Sequence, residues 1–148
     1  MIYQFIVEGV NPLPKERPRL STETGKAYTT NKTLAYENEI GLIVRSQLSN
    51  IGLDADNFKE NLGIIVHFIR QTKHRVDVDN LMKALKDGLE GVIWMNDNLI
   101  KGETGYVSYD KNNYGFNLVV MSYQDWLSKM GVEDYTGSVR GYKFKSKE

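Results

Sequence analysis

Residues 74–98 read HRVDVDNLMKALKDGLEGVIWMNDN, a mostly apolar stretch that nevertheless holds four aspartates, Asp77, Asp79, Asp87 and Asp97. Leu81, Leu85 and Leu89 recur every four residues, which predicts a helix over about residues 79–90, with Gly91 just beyond its end. If residues 75–79 run extended, side-chain alternation sets Asp77 and Asp79 on one side of the chain. Asp79 then opens the helix, where a carboxylate serves well as N-cap. Lys83 follows one turn beyond Asp79, and Asp87 one turn beyond Lys83. Asp97 returns on the loop after Ile93 and Trp94, just ahead of the next strand.

Strands and helices alternate on either side of this stretch, an α/β pattern. Residues 62–69 (LGIIVHFI) are apolar on both faces, as a central strand requires. Residues 2–7 predict another strand, with Tyr3, Phe5 and Val7 on one face. A long helix is expected over about residues 33–51, with Leu34, Ile40, Ile43, Val44, Leu48 and Ile51 at helical spacing. Asn31 or Thr33 is its candidate cap and Gly52 its stop. Residues 11–26 contain all three prolines and read as an extended loop. Residues 53–61 form a connector. Residues 99–109 and 114–122 flank the turn-forming DKNN and predict an antiparallel hairpin. A short helix over residues 124–130 closes at Gly131, and the remainder is polar.

Composition narrows the function classes. A chain of 148 residues with 41% hydrophobic content is long enough for one domain with its own core. Lys+Arg and Asp+Glu both number 19, so net charge announces no polyanionic partner. Local charge says more: residues 11–32 carry five basic and two acidic residues, and residues 70–76 carry Arg70, Lys73 and Arg75 with no acid. Arg140, Lys143, Lys145 and Lys147 lie in the last eleven residues. The absence of cysteine excludes disulfides, thiolate nucleophiles and Cys-ligated metals. His67 and His74 are too few for a histidine zinc site. With neither a signal-like N-terminus nor a membrane-length apolar run, a soluble cytoplasmic protein is expected.

Grouped carboxylates repel one another unless a cation joins them. Mg²⁺ takes oxygen ligands, keeps several waters and is typically shared with substrate phosphate. Acids beside basic loops therefore point to metal-assisted phosphodiester hydrolysis. The bland alternatives stay open at this point: Asp79 as a cap, Asp87 as a solvated residue or a partner of Lys83, and Asp97 as a turn residue. An EF-hand is excluded, because Leu81 and Met82 stand where a ligand and the turn glycine are required.

The stretch DVDNLMKALKDGLEGVIWMNDNLI resembles the core signature of RusA-type Holliday junction resolvases: Asp-x-Asp-Asn, a helical Lys, and a Trp-centred turn that ends in an aspartate before a strand. The match includes Asp77, Asp79, Asn80, Lys83, Asp87, Trp94, Asp97 and Ile100. GVNPLPKERPRLSTETGKAYTTNKTLAYE likewise resembles the Pro- and basic-rich opening of these proteins. The resemblance runs over about residues 2–121. It implies one α/β domain, residues 1–122, in which helices pack on a mixed sheet, with residues 123–148 as a short helix and a polar, basic tail. It further implies a homodimer that cleaves four-way DNA junctions by paired symmetric nicks with Mg²⁺, or Mn²⁺ in its place, in recombination and repair. Such proteins are often encoded by phages and prophages in bacterial hosts.

Carried over residue by residue, the resemblance makes Asp77, Asp79 and Asp97 the metal-binding carboxylates and Lys83 the catalytic lysine. Asn80 and Asp87 take supporting roles. Asn96 stands where the family often has a further aspartate, and a neutral amide there implies weaker metal affinity. Lys15, Arg17, Arg19, Lys73 and Arg75 are the expected contacts to DNA phosphates. Two other readings share the same residues: a broader branched-DNA or flap nuclease, and a non-catalytic DNA-binding protein of the same fold.

Overall fold

The computed structural model describes residues 1–131. The basic residues of the tail lie outside this range. Four strands, β1 (Ile2–Glu8), β4 (Leu62–Arg70), β5 (Ile100–Tyr109) and β6 (Gly115–Ser122), form one mixed sheet in the order β1-β6-β4-β5. Helices α1 (Asn31–Asn50) and α2 (Val78–Leu89) are joined by a third, α3 (Tyr123–Met130). No described helix is long and apolar enough to cross a membrane.

Because β4 is apolar on both faces, it takes an interior position and is paired along both edges, antiparallel to β6 and parallel to β5. That pairing overturns the expected hairpin. β5 and β6 are adjacent in sequence, but β4 lies between them. The connector passes over the end of β4, where the Asp110 N–H donates to the Arg70 carbonyl at 2.9 Å. The Asp110 carboxylate then accepts the N–H groups of Asn112 and Asn113, and these bonds hold its pKa below the usual value.

One face of the sheet makes the core. Phe5 pairs with Leu118, which pairs with Val66; Val7, Phe116 and Phe68 form the next row. All six are buried. α2 covers the β4–β5 end of this face. A Cβ added at Gly105 would stand 2.8 Å from Met82 Sδ and 3.1 Å from Val78 Cγ1, so the first turn of α2 lies directly over the middle of β5. On the opposite face Trp126 of α3 fills a slot left by Gly63 and Gly102, where any Cβ would overlap the indole.

Local predictions were revised in instructive places. The cap of α1 is Thr30, whose hydroxyl accepts the Thr33 N–H. Gly52, at φ 71°, follows Ile51 as expected of a helix stop. The buried stripe of α1 includes Thr33, Tyr36, Ile40, Val44 and Leu48, whereas Leu34 and Ile51 are exposed. The stripe is therefore rotated toward Tyr36 from the expected one. The proline-rich loop is not wholly extended. It carries a two-stranded ribbon, β2 (Arg19–Leu20) and β3 (Ala27–Tyr28), outside the main sheet.

Candidate active site

The helix that presents the aspartates begins one residue earlier than expected, and this changes their roles. Asp77 is the N-cap of α2, and its Oδ1 accepts the Asp79 N–H at 3.0 Å. Asp79 stands in the first turn, so the two share a helix entrance rather than one side of a strand. Negative charge at this end is favoured by the exposed N–H groups and the helix dipole. Asp77, Asp79, Asn80 and Lys83 are all exposed. Among the described residues none of Asp77, Asp79, Lys83 and Asp97 makes an ion pair.

One buried and one half-buried cation hold this entrance in place. Arg70 is 7% exposed; its Nε donates to the Pro12 carbonyl and its Nη1 to the His74 carbonyl. It thereby ties the proline-rich loop to the segment leading into Asp77. Lys15 reaches from the same loop to Glu37 of α1 at 2.6 Å and to Asp87 of α2 at 3.0 Å. Burial pulls the Lys15 ammonium down, but its hydrogen bonds and the charges of both carboxylates outweigh that and raise its pKa above the usual value. Asp87 thus pairs with Lys15 rather than Lys83. Two of the three Lys15 ammonium N–H donors are thereby engaged by carboxylates. Its backbone N–H also donates to the Asn80 carbonyl at 2.9 Å.

Of the other basic candidates, Arg17, Arg19, Lys73 and Arg75 are exposed on the two loops that flank the α2 entrance. Nothing in the sequence distinguished Lys15 from Arg17 or Arg70 from Lys73. Whether a cation is buried depends on which carbonyls and carboxylates the fold brings to it.

The turn that carries Asp97 is equally well anchored, at the other end of α2. Trp94 is fully buried, and its Nε1 donates to the Lys86 carbonyl at 3.1 Å. The Gly91 N–H donates to the Trp94 carbonyl at 2.7 Å, and the Asp97 N–H reaches Glu90 Oε1 at 3.4 Å. Asn96 caps the short turn by accepting the Asn98 N–H at 2.9 Å, so its side-chain oxygen has a structural partner. Asp97 itself is exposed.

A Mg²⁺ site built from Asp77, Asp79 and Asp97 does not assemble within one chain. From Asp79 to the end of α2 is ten residues, about 15 Å at the helical rise, and Asp97 lies beyond that end. Among the described residues no three His, Cys, Asp or Glu side chains are grouped to hold a metal ion. The Asp77–Asp79 pair alone does match the habit of Mg²⁺, which often binds through one or two carboxylates and completes its shell with water and phosphate.

Comparison with known proteins agrees with the residue pattern. A family model described as Endodeoxyribonuclease RusA matches residues 9–119 of the 148. No curated protein matches the chain. The matched segment covers the basic loops, the α2 entrance with Asp77, Asp79 and Lys83, and the Trp94–Asp97 turn, and on that extent the chain belongs to the RusA endodeoxyribonuclease family.

Proposed function

We propose that this protein is a Mg²⁺-dependent endodeoxyribonuclease that acts as a homodimer and resolves four-way DNA junctions by paired symmetric nicks. The observation that carries the reading is the α2 entrance: two exposed carboxylates and, one turn on, a lysine, none of them ion-paired among the described residues, with basic loops to either side. Exposed carboxylates beside cations suit a substrate that brings both a phosphate and a metal. Mg²⁺, when bound there, supplies Lewis-acid polarisation of the phosphodiester and lowers the pKa of a bound water.

The chain's own groups account for the remaining steps. Lys83 stands one turn from Asp79 and offers positive charge to the phosphate as negative charge develops on its oxygens. Arg17, Arg19, Lys73 and Arg75 hold the backbone phosphates to either side and carry little base information. Arg70 and Lys15 keep those two loops and the helix entrance in fixed relation, so the scissile phosphate meets a prearranged surface.

The test is a labelled four-way junction incubated with the protein and Mg²⁺, beside a fork and a linear duplex. EDTA and Asp79→Asn are the controls. Symmetric paired nicks on the junction, lost in both controls, are expected. Equal cleavage of fork and junction would move the activity to a general branched-DNA nuclease. Junction binding with no nicks under any divalent cation would sink the catalytic reading.

A further inference from the structure

We infer that the C-terminal segment of this chain, residues 132–148, docks on the open half of the main sheet, with Tyr142 and Phe144 as the groups that enter it. The inference is independent of the nuclease reading above, because it concerns the face of the sheet turned away from α2.

Strand register divides that face into rows. Gly63 and Gly102 stand in the first row, and Ile65 and Thr104 in the second. Ile6, His67 and Tyr106 share the third, and Ile69 lies in the fourth. α3 covers the first row and reaches the second: Trp126 fills the slot over Gly63 and Gly102, and Met130 Sδ lies 3.6 Å from the Thr104 hydroxyl. The third and fourth rows stay open among the described residues. Ile6 is 45% and Tyr106 50% exposed, with His67 and Ile69 half-buried. A hollow of 520 Å³ adjoins them, lined by Ile6, Glu8, Ile69, Tyr114 and Asn117. A contiguous apolar patch with a polar rim marks an interaction surface.

The floor of this patch is already arranged. His67 and Tyr106 stack at 4.4 Å, and His67 Nε2 lies 2.7 Å from Ser108 Oγ. A fixed aromatic pair offers a further ring an edge or a face to pack against.

The point where the described residues end selects the occupant. α3 crosses this face and finishes at Met130 beside Thr104, so residue 132 starts from the second row, next to the open ones. The matched family segment stops at residue 119, and α3 and residues 132–148 both lie beyond it. From Gly131 to Tyr142 the chain reaches up to about 36 Å. Crossing from β5 to β1 takes about 14 Å and two rows along the strands about 13 Å, so the whole open half is within range.

The sequence of the segment suits the surface. In GYKFKSKE, Tyr142 and Phe144 alternate with Lys143, Lys145 and Lys147. An extended chain therefore offers two rings to one side and three ammonium groups to the other, the pattern of a strand laid on an apolar face. Glu8, exposed and without an ion pair among the described residues, gives the basic segment an acidic neighbour on this face. Tethering favours the chain's own segment over a second copy, since a short linker holds it at an effective concentration of about millimolar.

Two readouts test this on the full chain. The protein has no cysteine, so Ile6→Cys sets a single thiol in the third row and Leu42→Cys sets one on α1, where Leu42 is 69% exposed. Maleimide labelling of each is timed with and without the double change Tyr142→Ser and Phe144→Ser. Loss of the two rings should speed labelling at position 6 about tenfold and leave position 42 unchanged. Equal rates at position 6 in both backgrounds overturn the inference.

The second readout identifies the occupant. Tyr106 is replaced by photoreactive benzoylphenylalanine, light- and heavy-nitrogen chains are mixed and irradiated, and the cross-linked peptides are read by mass spectrometry. Links from position 106 to residues 135–147 within one isotope are expected. Links that mix isotopes would assign the face to a second copy, and links confined to residues 1–131 would leave it uncovered; either overturns the inference. So does a truncation after Gly131 that weakens four-way junction binding while labelling at position 6 stays the same, which would make the segment a DNA-binding arm.

Discussion

At its N-terminal end α2 opens onto solvent with Asp77, Asp79 and Lys83 exposed and unpaired among the described residues, held from behind by Arg70 and Lys15. At its C-terminal end the chain turns back through the core, Trp94 is fully buried, and the exposed Asp97 rides on that anchor. The first end keeps its carboxylates available by placing the structural cations one layer deeper. The second places its carboxylate by hydrophobic burial, with little help from charge. The difference teaches that one continuous signature can present its acids at two separate places, each fixed by a different kind of force.

The largest expected effect falls on the C-terminal anchor. Trp94→Ala should cost about 3–5 kcal/mol, the usual range for deleting a large buried aromatic, read as a shift in the urea midpoint. Trp94→Phe keeps most of the packing and loses the bond to Lys86, and should cost about 1–2 kcal/mol. If Trp94→Ala left stability unchanged, the anchoring contrast between the two ends would be broken.

Asp79→Asn should do the reverse, with the fold intact and catalysis lost. Changes one layer behind metal ligands cost about 10–100-fold, so loss of a direct ligand should cost at least about 100-fold in junction nicking. Asp77 permits a finer division. Asp77→Asn retains a good cap and should leave the thermal midpoint nearly unchanged while nicking falls as for Asp79→Asn. Asp77→Ala should also cost about 1 kcal/mol of stability. Equal stability for these two variants would show that the cap is unimportant.

Lys15→Met tests the support behind the N-terminal end. It leaves Glu37 and Asp87 without their cation in a partly buried place, and should cost about 1–3 kcal/mol. The folded pKa of Lys15 lies above its usual 10.5. Its stabilisation is therefore complete below pH 10.5 and is lost as pH rises through the folded value. The gap between wild type and Lys15→Met should narrow above pH 10.5, and a gap constant to higher pH would remove the ion pairs as its cause.

The smallest effect belongs to the exposed arginines. Arg17→Ala and Arg19→Ala should each weaken junction binding modestly and reduce the slope of log affinity against log salt by about 1, with no change in stability. A wild-type affinity that stays flat with salt would remove these loops from the interface.

Much of this was legible in residue order. Leu81, Leu85 and Leu89 marked α2, the double-sided apolarity of residues 62–69 marked β4 as central, and the Asp-x-Asp-Asn with its helical lysine and Trp turn marked the family. Errors came where local rules compete. The DKNN turn is a good hairpin signal, yet β4 buries more by pairing along both edges and so separates β5 from β6. Asp77 and Asp79 are both good caps, and the choice went to Asp77, which closes the loop held by Arg70.

The sequence by itself determined which groups are present: the carboxylates, the lysine, the basic loops and the periodicities that make each helix and strand, because these depend on side-chain chemistry and near-neighbour spacing. Only the tertiary structure decided which of those groups meet. It buried Arg70 and paired Lys15 with carboxylates while leaving Arg17 and Arg75 exposed, and it set Asp97 a helix length from Asp79. A parallel connection returns its second strand to the end where the first began, so the helix between them must carry its two ends apart.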